Sequence, residues 1–280
     1  VNLQPPSILL MGPSGTGKTY SLATLIEAGL DLFLISTEPH GVETLIDAVS
    51  VNKLPISKLH WRYLGPTRTG FETLQQMAES VSKLNQEFLS KQAPTARNDA
   101  SFIEVMKTFN NFVDDKDGKS YGPLNKLTAS AVVVVDSLSG LSAMAMDNTI
   151  GDKVTANPGE WGIAMRLVDK FLLSCTSDLK SFFVLTAHPE IEADAVTGAS
   201  KVMVSTLGKK LAPQLPRFFS EVVWTKAETK DSARQFLWST NEHNTVLKNR
   251  SLSISDKLPP SFGPIVEAYR KRLDTVKQAS

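Results

Sequence analysis

One passage constrains the fold of this chain more than any other: SILLM, residues 7–11, runs into GPSGTGKT, residues 12–19, and then into an amphipathic stretch that ends at Gly29. A short apolar run without polar interruption is a strand buried on both faces. The stretch KTYSLATLIEAG, residues 18–29, has helical spacing and a glycine stop. Between them the octapeptide fits G-x-x-x-x-G-K-[ST], and a strand before and a helix after is the context that motif requires. Gly15 and Gly17 let the backbone wrap closely round phosphate oxygens, with N–H groups and the helix N-terminus facing the negative charge. Lys18 would reach the β- and γ-phosphates and Thr19 would ligate Mg²⁺. Gly12, Pro13, Ser14, Gly15, Thr16, Gly17, Lys18, Thr19 and Tyr20 are therefore the expected nucleotide contacts. The alternative is a chance glycine-rich turn.

The remaining chain alternates apolar bursts with amphipathic stretches, the pattern of a mostly parallel sheet covered by helices. LFLIST (32–37), HWRYL (60–64), AVVVV (131–135) and SFFVLTA (181–187) read as strands, the second nearer an edge and the third central. VETLIDAV (42–49), residues 71–91, residues 102–113 and the run from Trp161 to Leu179 read as helices. DDKDGK (114–119) resembles a calcium loop at a glance, but placing Gly118 sixth makes Val113 the first ligand and Leu124 the twelfth, so it reads as a turn. EVVWTKAE, RQFLWST and TVLKNRSL read as short strands that extend the sheet in antiparallel fashion, and Pro259 and Pro260 close that region before a final helix.

A nucleotide site needs an acidic residue at the end of a buried strand, and AVVVVDS supplies Asp136 for the magnesium shell. Taken alone, such an aspartate is a cap or turn residue. Ser137 follows it, so an adjacent Asp–Glu pair is absent and another group must polarise water. No N-K-x-D is present, and TKAE at 225–228 lacks both the asparagine and the aspartate, which favours ATP over GTP. Glu38 ends the strand after the phosphate-loop helix, where ligands of open α/β sheets bind. It is either a catalytic carboxylate or a solvated strand end.

GPSGTGKT, then LISTE, then VVVVDS together resemble the RecA-type ATPase core. That resemblance implies that Glu38 activates water and that the residue ending FFVLTAH, His188, senses the γ-phosphate; many relatives have glutamine there, so histidine is a departure. The K-x-R of TVLKNRS, Lys248 and Arg250, resembles the basic fingers that ring-forming RecA-like helicases and clock ATPases insert into the next subunit. The other reading is a solvated strand edge. Two long loops follow the strands of Asp136 and His188. In RecA-like recombinases the corresponding loops bind single-stranded DNA, for which Lys153, Lys201, Lys209 and Lys210 are the available phosphate contacts here. Glu190, Glu192 and Asp194 dilute that charge, and no aromatic residue of the second loop offers a stacking surface. Solvated lysines on a loop or β-hairpin are the alternative.

The expected architecture is an α/β, RecA-like P-loop NTPase fold with a mostly parallel central sheet flanked by helices and a C-terminal antiparallel extension. Its expected division is an ATPase domain over residues 1–265 and a helix or tail over 266–280. The pattern is most like that of compact phage annealing and recombination ATPases; a helicase or DNA-packaging type motor, or a slow nucleotide-gated interaction protein, is the alternative. It implies ATP and Mg²⁺ as cofactors, a ring or filament of identical subunits, and single-stranded DNA, with a single-strand binding protein, as partners. With 30 Lys plus Arg against 29 Asp plus Glu, no global field draws the chain to a polyanion, so any such site is local. The single cysteine, Cys175, excludes an intramolecular disulfide framework. No signal peptide or membrane-length apolar run is evident, so a cytoplasmic location is expected, in a bacterial host if the chain is phage-encoded. Only some seven residues precede the first strand, so assembly is expected to use surfaces other than RecA's N-terminal segment.

Overall fold

The computed structural model describes residues 3–65, 75, 100–151, 155–193 and 200–278. Its centre is a seven-stranded sheet in the order β11-β10-β1-β7-β6-β2-β3. The strands are β1 (Ser7–Met11), β2 (Asp31–Ser36), β3 (Leu59–Tyr63), β6 (Ala131–Asp136), β7 (Phe182–Ala187), β10 (Glu221–Lys230) and β11 (Ala233–Ser239). All neighbours in the sheet run parallel except β10 and β11. Two hairpins stand outside it: β4 (Phe112–Val113) with β5 (Ser120–Gly122), and β8 (Pro189–Ala193) with β9 (Ser200–Val204).

The apolar runs have this form because both faces of the sheet are covered. Leu9, Met11, Phe33, Ile35, Val133, Val135, Phe183 and Leu185 face one core layer, under α4 (Ser101–Asn110), α5 (Leu138–Ile150) and α6 (Pro158–Asp178). Their neighbours Ile8, Leu10, Leu32, Leu34, Val132, Val134, Phe182 and Val184 face the other. There they meet α1 (Lys18–Ser21), α2 (Ala23–Glu27), α3 (Gly41–Val51) and the final helix, α8 (Gly263–Gln278). Ile265, Val266 and Tyr269 of α8 are buried in that second layer, so this helix is part of the core. Strict alternation of strand side chains divides one apolar sequence between two cores.

Several expectations change. The helix expected over 18–29 is two short pieces, because the Leu22 and Leu25 N–H groups donate to carbonyls three residues back (Leu22 N–H to Thr19 O, 3.2 Å; Leu25 N–H to Leu22 O, 3.0 Å). Phe112 and Val113 leave helix geometry for the β4–β5 hairpin. Of the first long loop only 151–157 lies between helices. Gly151 ends α5 with a positive φ of 59°, and an Asn157–Glu160 capping box with Pro158 behind it starts α6. The second long loop is largely the β8–β9 hairpin followed by the short helix α7 (Gly208–Leu211). TVLKNRSL forms no strand; its strand-type backbone pairing is limited to isolated bridges, Thr245 to Val202 and Lys248 to Val222. The helix expected at 71–91 falls, apart from Gln75, outside the described residues. No described helix is long and apolar enough to cross a membrane.

Candidate functional site

β1 is parallel to β7, β6 and β2, so their last residues reach the same edge of the sheet, and the chain leaves β1 there as the phosphate loop. Two glycines are forced. A Cβ on Gly12 would lie 2.1 Å from Thr225 Oγ1, because β10 passes directly behind the loop. Gly17 has φ 82°, and its Cβ would stand 2.7 Å from the ring of Phe236. Thr16 ties the loop to β10 by a 2.6 Å hydrogen bond between its hydroxyl and that of Thr225.

Lys18 is buried, and its ammonium donates to Gly12 O at 2.7 Å and Pro13 O at 2.9 Å. Burial pushes its pKa down, opposed by Asp136 and then Glu38. Asp136 is fully interior: Thr19 Oγ1 donates to its Oδ2 at 2.7 Å, and Thr186 Oγ1 donates to its Oδ1. Burial raises the Asp136 pKa above the usual carboxylate range, and the two threonine hydrogen bonds offset this only in part. A buried carboxylate beside a threonine hydroxyl is a pair of hard oxygen donors, short of cationic charge, and it fits Mg²⁺. Among the described residues no cluster of three or more His, Cys, Asp or Glu side chains could hold a metal. One carboxylate and one hydroxyl, with water and phosphate oxygens, is how Mg²⁺ is ordinarily held beside nucleotides.

Glu38 lies across the same pocket. Ser137 Oγ donates to its Oε1, and His188 Nε2 stands 3.3 Å from that oxygen. Its pKa is lowered, first by the hydrogen bond with His188, against burial, and then by Ser137. Glu38 is thus held ionised and oriented, as an acceptor aimed into the pocket. The ends of β2 and β6 are joined beneath it: Ser137 N–H donates to Thr37 Oγ1, whose hydroxyl donates to Ser137 O, both at 2.9 Å.

The pocket has a volume of about 360 Å³ and is lined by Ser14, Gly15 and Gly17 to Tyr20 of the loop, Glu38, Asp136, His188, Arg234 and Phe236, among others. The structure therefore brings together Lys18, Thr19, Glu38, Asp136 and His188 from widely separated stretches. It does not bring Lys248 and Arg250 to them. Glu221 is paired in register with Ile8 at the start of β1, and Lys248 and Arg250 lie beside it at the opposite, amino edge of the sheet. There the Lys248 ammonium donates to Phe219 O at 2.6 Å, and Arg250 N–H donates to Glu221 Oε2 at 2.9 Å. Of the four lysines expected at DNA, Lys153 lies outside the described residues, as does the side chain of Lys209. Lys201 is exposed on β9 opposite Glu192, and Lys210 is exposed on α7. Sequence reasoning passed over Thr186, Ser137, Arg234 and Phe236. Thr186 had a signal, being the one polar residue inside FFVLTA.

A family model described as "AAA domain" matches residues 4–251. The chain belongs to the AAA domain family. For a member of this family, a P-loop NTPase domain that binds and hydrolyses ATP accounts for the strand–loop–helix and for the acidic residues around it. No curated protein matches the chain. Among solved structures the chain is similar to the flagellar accessory protein FlaH from Methanocaldococcus jannaschii. The identity is 14%, over 84% of this chain and 78% of that one, with a TM-score of 0.34.

Proposed function

We propose that the protein is a RecA-like ATPase that hydrolyses MgATP with Glu38 as the water-orienting base, and that it binds single-stranded DNA as an oligomer. The observation that carries the catalytic part is the convergence, in one pocket, of Lys18, the Thr19–Asp136 pair and an ionised Glu38. Lys18 neutralises phosphate charge, Thr19 and Asp136 hold the magnesium ion, and Glu38 accepts a hydrogen bond from the attacking water. A magnesium ion held by Thr19 and Asp136 would supply positive charge against the charge that develops on the phosphates. Arg250 then acts on the site of a neighbouring subunit, since it lies at the far edge of its own.

The DNA part is supported by continuity of the chain. His188, within reach of Glu38, is followed at once by the β8–β9 hairpin, and Ser205 N–H donates back to His188 O at 2.8 Å. The residue that contacts Glu38 is therefore the one that directly precedes the hairpin. A second reading, a nucleotide-gated partner for another protein, is favoured by the hairpin's own surface: Ile191 is 71% exposed and Lys201 faces Glu192.

ATPase rates without DNA, with single-stranded DNA and with duplex DNA, each at two salt concentrations, separate these readings. Stimulation by single strands that weakens at high salt is the expected result. Turnover indifferent to DNA at both salts would replace it with the protein-partner reading.

A further inference from the structure

β1 stops at Met11 opposite Trp224, whereas β10 continues to Lys230 and turns back as β11. The last residues of β10 and the first of β11 therefore overhang the phosphate loop. Arg234 and Phe236, paired with Thr229 and Ala227, lie in that overhang, two residues apart and so on one face of the strand. That face meets the loop. Phe236 packs against Gly17 and stands 6.2 Å from the ring of Tyr20, centroid to centroid. Arg234 Nη2 donates to Gly15 O at 2.6 Å, and the guanidinium lies 5.7 Å from the Phe236 ring.

A guanidinium has five N–H donors in a fixed fork. Beyond Gly15 O, the Arg234 donors have no hydrogen-bonding partner among the described residues, yet the side chain lines the same pocket as Lys18, Thr19 and Asp136. Support of the loop alone would use one of those donors and would need no opening onto the pocket. Planar forks with donors to spare match phosphate oxygens two at a time. The Tyr20–Phe236 pair, next to the helix end of the loop, offers ring faces where a nucleotide leaving the loop presents its base.

Resting on the ATPase reading above, we infer that the Arg234–Phe236 face of β11 is a third wall of the nucleotide site, acting within its own subunit. Arg234 contacts the polyphosphate and Phe236, with Tyr20, contacts the base. The antiparallel extension is then part of nucleotide recognition as well as a sheet edge.

The test compares MgATP with magnesium tripolyphosphate, which has the phosphates but no base, by calorimetric titration of wild type, Arg234→Ala, Phe236→Ala and the milder Phe236→Leu. Arg234→Ala should weaken both ligands about tenfold, while the melting temperature without ligand stays at the wild-type value. The Phe236 variants should weaken MgATP several-fold and leave tripolyphosphate unchanged. Binding of both ligands by Arg234→Ala within twofold of wild type overturns the phosphate contact. Equal loss of both ligands in Phe236→Leu makes the ring a support for the loop and overturns the base contact. Wild type that binds neither ligand, or Lys18→Ala that binds both normally, instead brings down the phosphate-loop reading on which this wall depends.

Discussion

The central sheet holds Asp136 and Glu38 at one end, and Glu221 at the other, in different ways. At the carboxyl ends of β1, β2, β6 and β7, polar side chains bond to one another across long sequence distances: Thr19 and Thr186 to Asp136, Ser137 and His188 to Glu38. At the amino ends, charged side chains are spent on backbone: Lys248 on Phe219 O, and Glu221 on the Arg250 N–H. Paired side chains can exchange partners when a ligand enters, whereas side chains fixed to backbone hold a segment in place. Arg250 is the exception at the amino end, because its backbone is fixed while its guanidinium has no hydrogen-bonding partner among the described residues.

The largest effect should come from setting the two ends against each other. Glu38→Gln should lower kcat by about 10³-fold while ATP binding persists, and Arg250→Ala should lower it by a similar factor of about 10³. Mixed oligomers of the two variants should recover part of the activity, since some pairings combine an intact Glu38 with an intact Arg250 on its neighbour. Verified mixed oligomers with no recovery would return Arg250 to the solvated role. Next in size, Lys18→Ala should weaken MgATP binding roughly a hundredfold, measured by calorimetry; unchanged affinity would mean that the loop does not hold phosphate.

The smallest effect probes a structural charge on the amino side. Asp114 is buried beside His60 near the start of β3, and it accepts hydrogen bonds from Trp61 and Lys116 N–H at 3.2 and 3.0 Å, with His60 Nδ1 at 2.8 Å. Burial works to raise its pKa, but the Lys116 N–H, His60 and Trp61 N–H together hold it below the usual carboxylate value. A depressed folded pKa gives stability that is complete above the unfolded value, about 3.9, and that is lost as pH falls through the folded one. Asp114→Asn should therefore cost about 1–3 kcal/mol at neutral pH and flatten the acid limb of a denaturation series below about pH 4. An acid limb as steep as wild type would remove Asp114 from that account.

Much of the carboxyl end was legible because strands buried on both faces are written as unbroken apolar runs, so the residue that ends each run is visible. Gly12 to Thr19, Glu38, Asp136 and His188 were all found as interruptions at such ends. Arg234 and Phe236 were not, since their importance comes from an overhang set by the unequal lengths of β1 and β10, which no local pattern records. TVLKNRSL misled for the converse reason. Its alternation suits a strand, but a strand needs a neighbour paired in register along at least one edge, and only two isolated bridges are available. Asp114 was read correctly as part of a turn, but its burial depends on His60, 54 residues earlier in the chain.

The placement of Arg250 at the edge opposite the nucleotide pocket also limits how subunits can join. A two-fold dimer seats an amino-edge arginine in a carboxyl-edge pocket only if one patch spans both edges, and it then does so twice and closes. A head-to-tail contact instead joins unlike faces and leaves one pocket and one arginine free at its two extremities. Such a contact repeats until it closes on itself or runs on without limit. On this geometry hydrolysis would be complete at every site of a closed ring, and deficient at one terminal site of an open chain.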